Sequence, residues 1–269
     1  TNFLKFLVKG YYRQNLKDME SIIVSVRFRP LSEQEQQAQY DLVKANQAKF
    51  KGSFCTDIWK VLPQPHNTII NTKTKQTFTY DNVFDKDNQN QEVFDSVAKP
   101  LVHSALNGIN VTIFAYGQTS SGKTFTMRGK KSSPGLIPLT IKELFDTIQT
   151  YQNREYLLKV SYLEVYNEMV NDLLDPSKVN LEIRESLEKG IYVDKLTEVE
   201  VSCQQDAYTH LISGESNRKF GETSMNAQSS RSHTVFRVTI ESCASDNSSS
   251  AVVSQLNLVD LAGSEGVQK

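Results

Sequence analysis

Apolar positions recur along this chain with two periods, and the switches between them lay out its elements. The run 22–26 is short, rich in β-branched residues and closed by Arg27-Phe28-Arg29-Pro30, where proline ends strand pairing, so a strand and then a loop are expected. Residues 32–49, rich in Gln and Glu, carry only weak periodicity and do not commit to an element. Stretches 59–62, 68–71 and 76–80 read as short strands separated by Pro63, Pro65 and Asn/Thr turns. From Gln91, the positions Val93, Phe94, Val97, Leu101 and Ala105 fall on one helical face, which Asn107-Gly108 terminates and Pro100 kinks. Residues 111–116 form a β-rich run expected to be buried on both faces, and it feeds directly into a glycine-bearing loop. Ile137, Ile141, Leu144, Phe145 and Ile148 mark a helix packed on a sheet.

Further on, 156–166 reads as a long strand, and Lys189-Gly190 as the turn of a hairpin between 181–184 and 191–193. Ser202 with Gln205 predicts a capping box ahead of a helix carrying Ala207, Leu211 and Ile212. Residues 234–241 and 251–259 read as strands joined by the Ser/Asn-rich tip 244–250. Strands alternating with helices predict an α/β architecture, and the lack of repeats or a linker predicts one domain.

Composition narrows the class. The 269 residues hold 30 Lys and Arg against 31 Asp and Glu, a net charge of −1, which argues against a dedicated nucleic-acid binder. Three cysteines, Cys55, Cys203 and Cys243, are too few and too scattered for a disulfide framework or a C-x-x-C metal site, so an intracellular setting is expected. No apolar run approaches the ~18 residues of a membrane span. The chain begins at Thr1, and Met19-Glu20 would make a natural start. Residues 1–19 are therefore expected to be an extension, artefactual or disordered, with the domain proper at 20–269.

The strongest chemical signal is Gly117-Gln118-Thr119-Ser120-Ser121-Gly122-Lys123-Thr124, which satisfies G-x-x-x-x-G-K-[ST] between a strand and a helix. Backbone N–H groups of such a loop, with a helix N-terminus, cradle phosphates. Lys123 would contact the β- and γ-phosphates, and the Thr124 hydroxyl would bind Mg²⁺. Asp260-Leu261-Ala262-Gly263 ends a buried strand, where Asp260 can hold Mg²⁺ through water and the Gly263 N–H can meet the γ-phosphate. Asn226-Ala227-Gln228-Ser229-Ser230-Arg231-Ser232-His233 gathers hydroxyls and a guanidinium in one polar segment. A P-loop with D-x-x-G also describes GTP-binding switch proteins, but the chain has no guanine-reading N-K-x-D segment.

Arg27-Phe28-Arg29-Pro30, the stretch 114–124, Tyr162-Leu163-Glu164-Val165-Tyr166-Asn167-Glu168, the serine-rich 226–233 and Leu258-Val259-Asp260-Leu261-Ala262-Gly263-Ser264-Glu265 occur in this order in kinesin motor domains. The chain resembles that family from about residue 20 to 265. Arg184-Glu185 through Tyr192-Val193, followed by Gly221-Glu222-Thr223-Ser224-Met225-Asn226, is most similar to the centromere-associated kinesin-7 type. The resemblance implies a P-loop NTPase with a mostly parallel or mixed central sheet, helices on both faces and a C-terminal part missing. It implies that Arg27 and Pro30 border adenine, with Phe125 stacked on the other side. In switch I, Ser230 would contact Mg²⁺ and γ-phosphate, and Ser229 would position the attacking water. In switch II, Glu265 would relay the water's proton and close the site through an Arg231–Glu265 salt bridge.

The same resemblance implies an ATP- and Mg²⁺-dependent motor on microtubules, acting in the cytoplasm and on the cytoskeleton, spindle or kinetochore. It also implies a homodimer through a coiled-coil stalk outside the chain. Lys178, Arg184, Lys189 and Lys195 lie around the strand-rich segment that meets tubulin in kinesins, and a solvated loop explains them nearly as well. The alternative of a catalytically silent tubulin-binding module is disfavoured because Lys123, Thr124, Ser230, Arg231, Gly263 and Glu265 are all intact. Where the family continues Gly-Ser-Glu-Arg, this chain has Gly263-Ser264-Glu265-Gly266, so a truncated domain with weak microtubule-stimulated turnover is expected.

Overall fold

The structure, a computed structural model, describes residues 3–12, 19–46, 58–63, 67–187, 190–220, 231–245 and 251–265. In chain order its first half comprises β1 (Phe3–Tyr12), β2 (Met19–Phe28), α1 (Glu33–Asn46), β3 (Trp59–Val61), β4 (Thr68–Asn71), β5 (Thr77–Thr79), β6 (Asn82–Phe84), α2 (Asn90–Val93), α3 (Lys99–Leu106) and β7 (Val111–Tyr116). There follow α4 (Lys123–Met127), β8 (Gly129–Lys130), β9 (Ser133–Pro134), α5 (Leu136–Ile148), β10 (Arg154–Tyr166), β11 (Met169–Asp172), β12 (Ile183–Ser186), β13 (Gly190–Val193), β14 (Val199–Val201), α6 (Gln204–Phe220), β15 (His233–Ala244) and β16 (Val252–Asp260).

The main sheet has the order β11-β10-β15-β16-β7-β1-β2-β6, with β14 added along β10. It is mixed: β16–β7 and β2–β6 are parallel, and the remaining pairs are antiparallel. Register turns residue alternation into two unlike faces. Val111, Leu256, Val238 and Val160 form one row, and Ile113, Leu258, Phe236 and Tyr162 the next. All eight are buried, and the Tyr162 and Phe236 rings meet edge to face with centroids 5.5 Å apart. Burying each large apolar side chain in these rows contributes about 1.5–3 kcal/mol.

Helix α3 packs over β7, β15 and β16, α6 packs over β10, and α5 touches α2, α3, α4 and α6. The helices α2 to α6 thus form one layer on the apolar rows. On the opposite face, Arg237 Nε donates to Asn257 Oδ1 at 2.8 Å, and Asn257 Nδ2 donates to Thr112 Oγ1 at 3.3 Å. This polar ladder is also why β7 alternates between buried and half-buried positions instead of being buried on both faces.

Other predictions needed correction. Residues 3–12, expected to lie outside the domain, form β1, which pairs with β2 along its whole length and with β7 from Lys5 to Gly10. A stretch rich in Phe, Leu, Val and Tyr has the composition for this role, and in this sheet β1 is the strand that joins β7 to β2. The undecided segment 32–49 contains α1, with Glu33 and Glu35 in its first turn and Lys44 in its last, complementing the helix dipole. Helix α6 starts at Gln204, and Asp206 in place of Gln205 reaches back, accepting the Ser202 N–H at 3.3 Å. The predicted disturbance at Pro100 takes the form of a π-helical turn, Phe94–Ala98, which leads into α3 where proline, lacking an N–H, is tolerated in the first turn.

Candidate functional site

The third row on the helix-facing side of the sheet is polar. Glu164, Thr234 and Asp260 stand side by side in it, level with Ala115 of β7. All are buried. This row lies at the end of β7 from which Gly117–Thr124 emerges, so the sheet changes from apolar to polar where the phosphate-binding motif begins.

In that loop Gly122 takes φ +99°, a left-handed conformation that favours glycine and lets the chain turn into α4. Helix α4 is only five residues long, so the loop's electrostatics rest on its N–H groups and Lys123 more than on a helix dipole. Lys123 is buried, and its Nζ donates to the carbonyls of Gly117 and Gln118 at 2.9 Å each. Burial lowers its pKa, while Asp260 and Glu265 pull the other way. The Thr124 hydroxyl donates to Asp260 Oδ2 at 2.7 Å.

Asp260 Oδ1 is buried without a hydrogen-bond partner. One carboxylate beside one hydroxyl suits Mg²⁺, which keeps waters and shares phosphate oxygens and needs no cage of protein ligands. Among the described residues there is no cluster of three or more His, Cys, Asp or Glu placed to hold a metal.

The segment after β16 lies directly on the loop. Ser264 N–H donates to Gly117 O at 3.0 Å, and Thr119 donates its N–H to Glu265 Oε2 at 2.8 Å and its hydroxyl to Oε1. The Thr119 hydroxyl, followed by backbone N–H groups and Lys123, holds the Glu265 carboxyl below the usual range. A Cβ at Gly263 would press on the Glu265 carboxylate and the Thr119 hydroxyl, so a larger residue there would force these side chains to shift. Ala262 N–H donates to His233 Nδ1 at 3.1 Å, and burial lowers the His233 pKa against the pull of Asp260.

Beside the phosphate loop lies a shallow groove lined by Arg27, Arg29, Pro30, Ser121, Gly122, Phe125 and Thr126. Phe125 is exposed at its edge. Arg27 is buried and acts as a bolt beneath the groove. Its guanidinium donates to Asn90 Oδ1 at 2.5 Å, Thr126 Oγ1 at 3.0 Å and Asn88 O at 2.9 Å, and lies 5.6 Å from the Phe125 ring centroid. Asn90 in turn donates to the carbonyls of Phe125 and Ser133 at 3.2 and 3.3 Å. Arg29 is held by Glu35 through contacts of 2.8 and 2.6 Å.

Most predicted site residues therefore converge: Arg27, Pro30, the whole loop 117–124, Phe125, Asp260, Gly263 and Glu265. Ser229 and Ser230 lie outside the described residues. Arg231 is exposed, and among the described residues no ion pair joins it to Glu265, whose carboxylate meets the nearer donors of Thr119. Arg29 and Asn90 were missed. Arg29 could have been read from its position beside Pro30, whereas a lone Asn at a helix start carries no such signal.

The profile of the kinesin motor domain matches residues 27–269. The chain belongs to the kinesin motor domain family. It is 43% identical over 257 residues to the kinesin-like protein KIN-7L of Oryza sativa subsp. japonica and 45% identical over 256 residues to KIN-7N of Arabidopsis thaliana, each match covering 93% of this chain. It spans 39% and 29% of those relatives' own lengths. A solved structure described as a fast kinesin superposes with a TM-score of 0.78 at 36% identity, covering 91% of this chain and 66% of that one. The KIN-7 names agree with the resemblance read from 184–193 and 221–226.

Among the described residues, the segment 178–195, for which the resemblance implied a tubulin contact, is not a bare cationic patch. Arg184 pairs with Glu182 at 2.9 Å and Asp194 at 3.3 Å, and Lys178 sits 3.6 Å from Asp175 and donates to Thr197. Lys195 takes φ +59°, and Lys189 lies outside the described residues. The β12–β13 hairpin also exposes Ile183 and Ile191. Among the described residues no helix is long and apolar enough to cross a membrane.

Proposed function

We propose that this chain is the nucleotide-hydrolysing part of an ATP-driven microtubule motor. The observation that carries the reading is the junction at the polar sheet row, where Thr124 and Asp260 are bonded and the switch II segment lies on the phosphate loop through Ser264 and Glu265. Lys123 would turn its ammonium from the loop carbonyls to the β- and γ-phosphates. Mg²⁺, held by Thr124, Asp260 through water and Ser230, would neutralise charge on the phosphate oxygens.

Ser229 would position the water and Glu265 would take its proton. Glu265 meets Thr119 here, so the Arg231–Glu265 pair implied by the resemblance would require a change of partner, through which γ-phosphate arrival at Gly263 would be felt. Phe125 and Pro30 would flank the base, with Arg27 fixing Phe125 from below. Microtubules as partner and location are supported by family membership, and a spindle or kinetochore site by the kinesin-7 similarity. The same membership supports, as a further part of this proposal, a homodimer formed through a stalk segment.

The test is nucleotide turnover by the full chain with ATP or GTP, alongside co-sedimentation with microtubules at rising salt. Preferential ATP hydrolysis and salt-sensitive co-sedimentation are expected. Preference for GTP, or no association with microtubules, would overturn the reading.

A further inference from the structure

Glu215 and Arg218 are three residues apart on α6 and so share a face. Glu215 pairs with Arg128, just past the end of α4, and accepts the Tyr162 hydroxyl. Arg218 is 4% exposed; its Nε donates to Glu164 Oε1 at 3.2 Å and its Nη2 to Ser232 Oγ at 2.8 Å. Glu164 and Ser232 are equally buried. A buried ion pair gains little over well-packed apolar side chains, because both charges are taken out of water. The neighbouring rows of this sheet are apolar and pack without one. A charged pair is found in the one row that also carries Asp260.

We propose that Arg218, with Glu164 as its counter-charge, is a positioning residue of the nucleotide site and acts through Ser232. Ser232 lies in the serine-rich segment 226–233 that the resemblance assigns to switch I, and it stands directly before β15, so the Arg218 contact ties the end of that segment to α6. It also fixes the residues on either side of Ser232. One is Arg231; the other is His233, which holds the Ala262 N–H of switch II. The inference rests on the MgATP reading above and assigns to it a residue that contacts neither nucleotide nor metal.

The experiment compares the full chain with Ser232→Ala, Ser232→Thr and Arg218→Lys, measuring ATP turnover, KM for ATP, affinity for MgADP and thermal unfolding. Ser232→Ala removes one hydroxyl and leaves the Arg218–Glu164 pair in place, so it keeps the test valid should Arg218→Lys fail to fold. Expected is a fall in kcat of about tenfold for Ser232→Ala, with KM and MgADP affinity within about twofold, and recovery in Ser232→Thr. Arg218→Lys keeps the charge but loses the two-pronged geometry, and it is expected to follow Ser232→Ala. A Ser232→Ala chain with unchanged kcat and only a lowered melting temperature would show that the contact is purely structural and overturn the proposal. Failure of the parent chain itself to bind or cleave MgATP would instead overturn the MgATP reading.

Discussion

The phosphate side and the base side of this site are built in opposite ways. The phosphate side is one contiguous loop, Gly117–Thr124, closed by a second short segment ending at Glu265, and many of its working groups are backbone atoms. The base side gathers Arg27 from the end of β2, Asn88 from the loop before α2, Asn90 from the start of α2, and Thr126 and Phe125 from α4. Backbone-led recognition demands a fixed residue order, whereas a bolt such as Arg27 demands only that partners meet in space. The two sides should therefore fail differently: the first by losing chemistry, the second by losing structure.

The largest effect should come from the phosphate side. Lys123→Ala is expected to lower ATP turnover on the order of 10²–10³-fold, because it removes the cation that meets charge developing on the phosphates. Its urea midpoint should stay close to that of the parent, since among the described residues the ammonium donates only to two loop carbonyls. A large loss of stability would break the contrast.

Arg27→Ala should do the reverse. Stripping Asn90 and Thr126 of a buried donor is expected to cost about 2–4 kcal/mol in urea unfolding. Nucleotide affinity would fall only as far as the groove loosens. If Arg27→Ala were as stable as the parent yet inactive, Arg27 would be a ligand contact instead of a bolt.

The same contrast explains what could be read from sequence. Short β-rich runs, such as 111–116 and 68–71, and the helix marked by Ile137, Ile141 and Leu144 are found at or within a residue or two of their predicted bounds. The phosphate loop and Asp260 were legible because their chemistry needs a set spacing. Arg27 was assigned to the groove by its motif, but its partners Asn88, Asn90 and Thr126 lie 61, 63 and 99 residues away, and nothing local announces them. β1 was missed for a related reason, since a short apolar stretch acquires its role only from the edges of β7 and β2 that it joins. The absence of an Arg231–Glu265 pair among the described residues shows how a carboxylate follows the nearest strong donors, here those of Thr119.

The smallest effect lies at the rim of the base side. Arg29 holds the Glu35 carboxyl at about 2, well below its ordinary value of 4.5. Because the folded-state value is depressed, the pair's contribution is present above about pH 4.5 and is lost as pH falls toward 2. Glu35 is solvent-accessible, so Glu35→Gln should change stability at neutral pH by no more than about 1 kcal/mol. It should also flatten the acid limb of melting temperature against pH. An unchanged acid limb would remove the Arg29–Glu35 pair from the account.

The most direct test of the central claim, that the junction of Thr124, Asp260 and the phosphate loop serves MgATP, is calorimetric titration of the chain with ATP in the presence and absence of Mg²⁺, repeated with Thr124→Ala. The account predicts binding that tightens with Mg²⁺ in the parent chain and loses that dependence in the variant. Equal Mg²⁺ dependence in both, or no ATP binding by the parent, would contradict it.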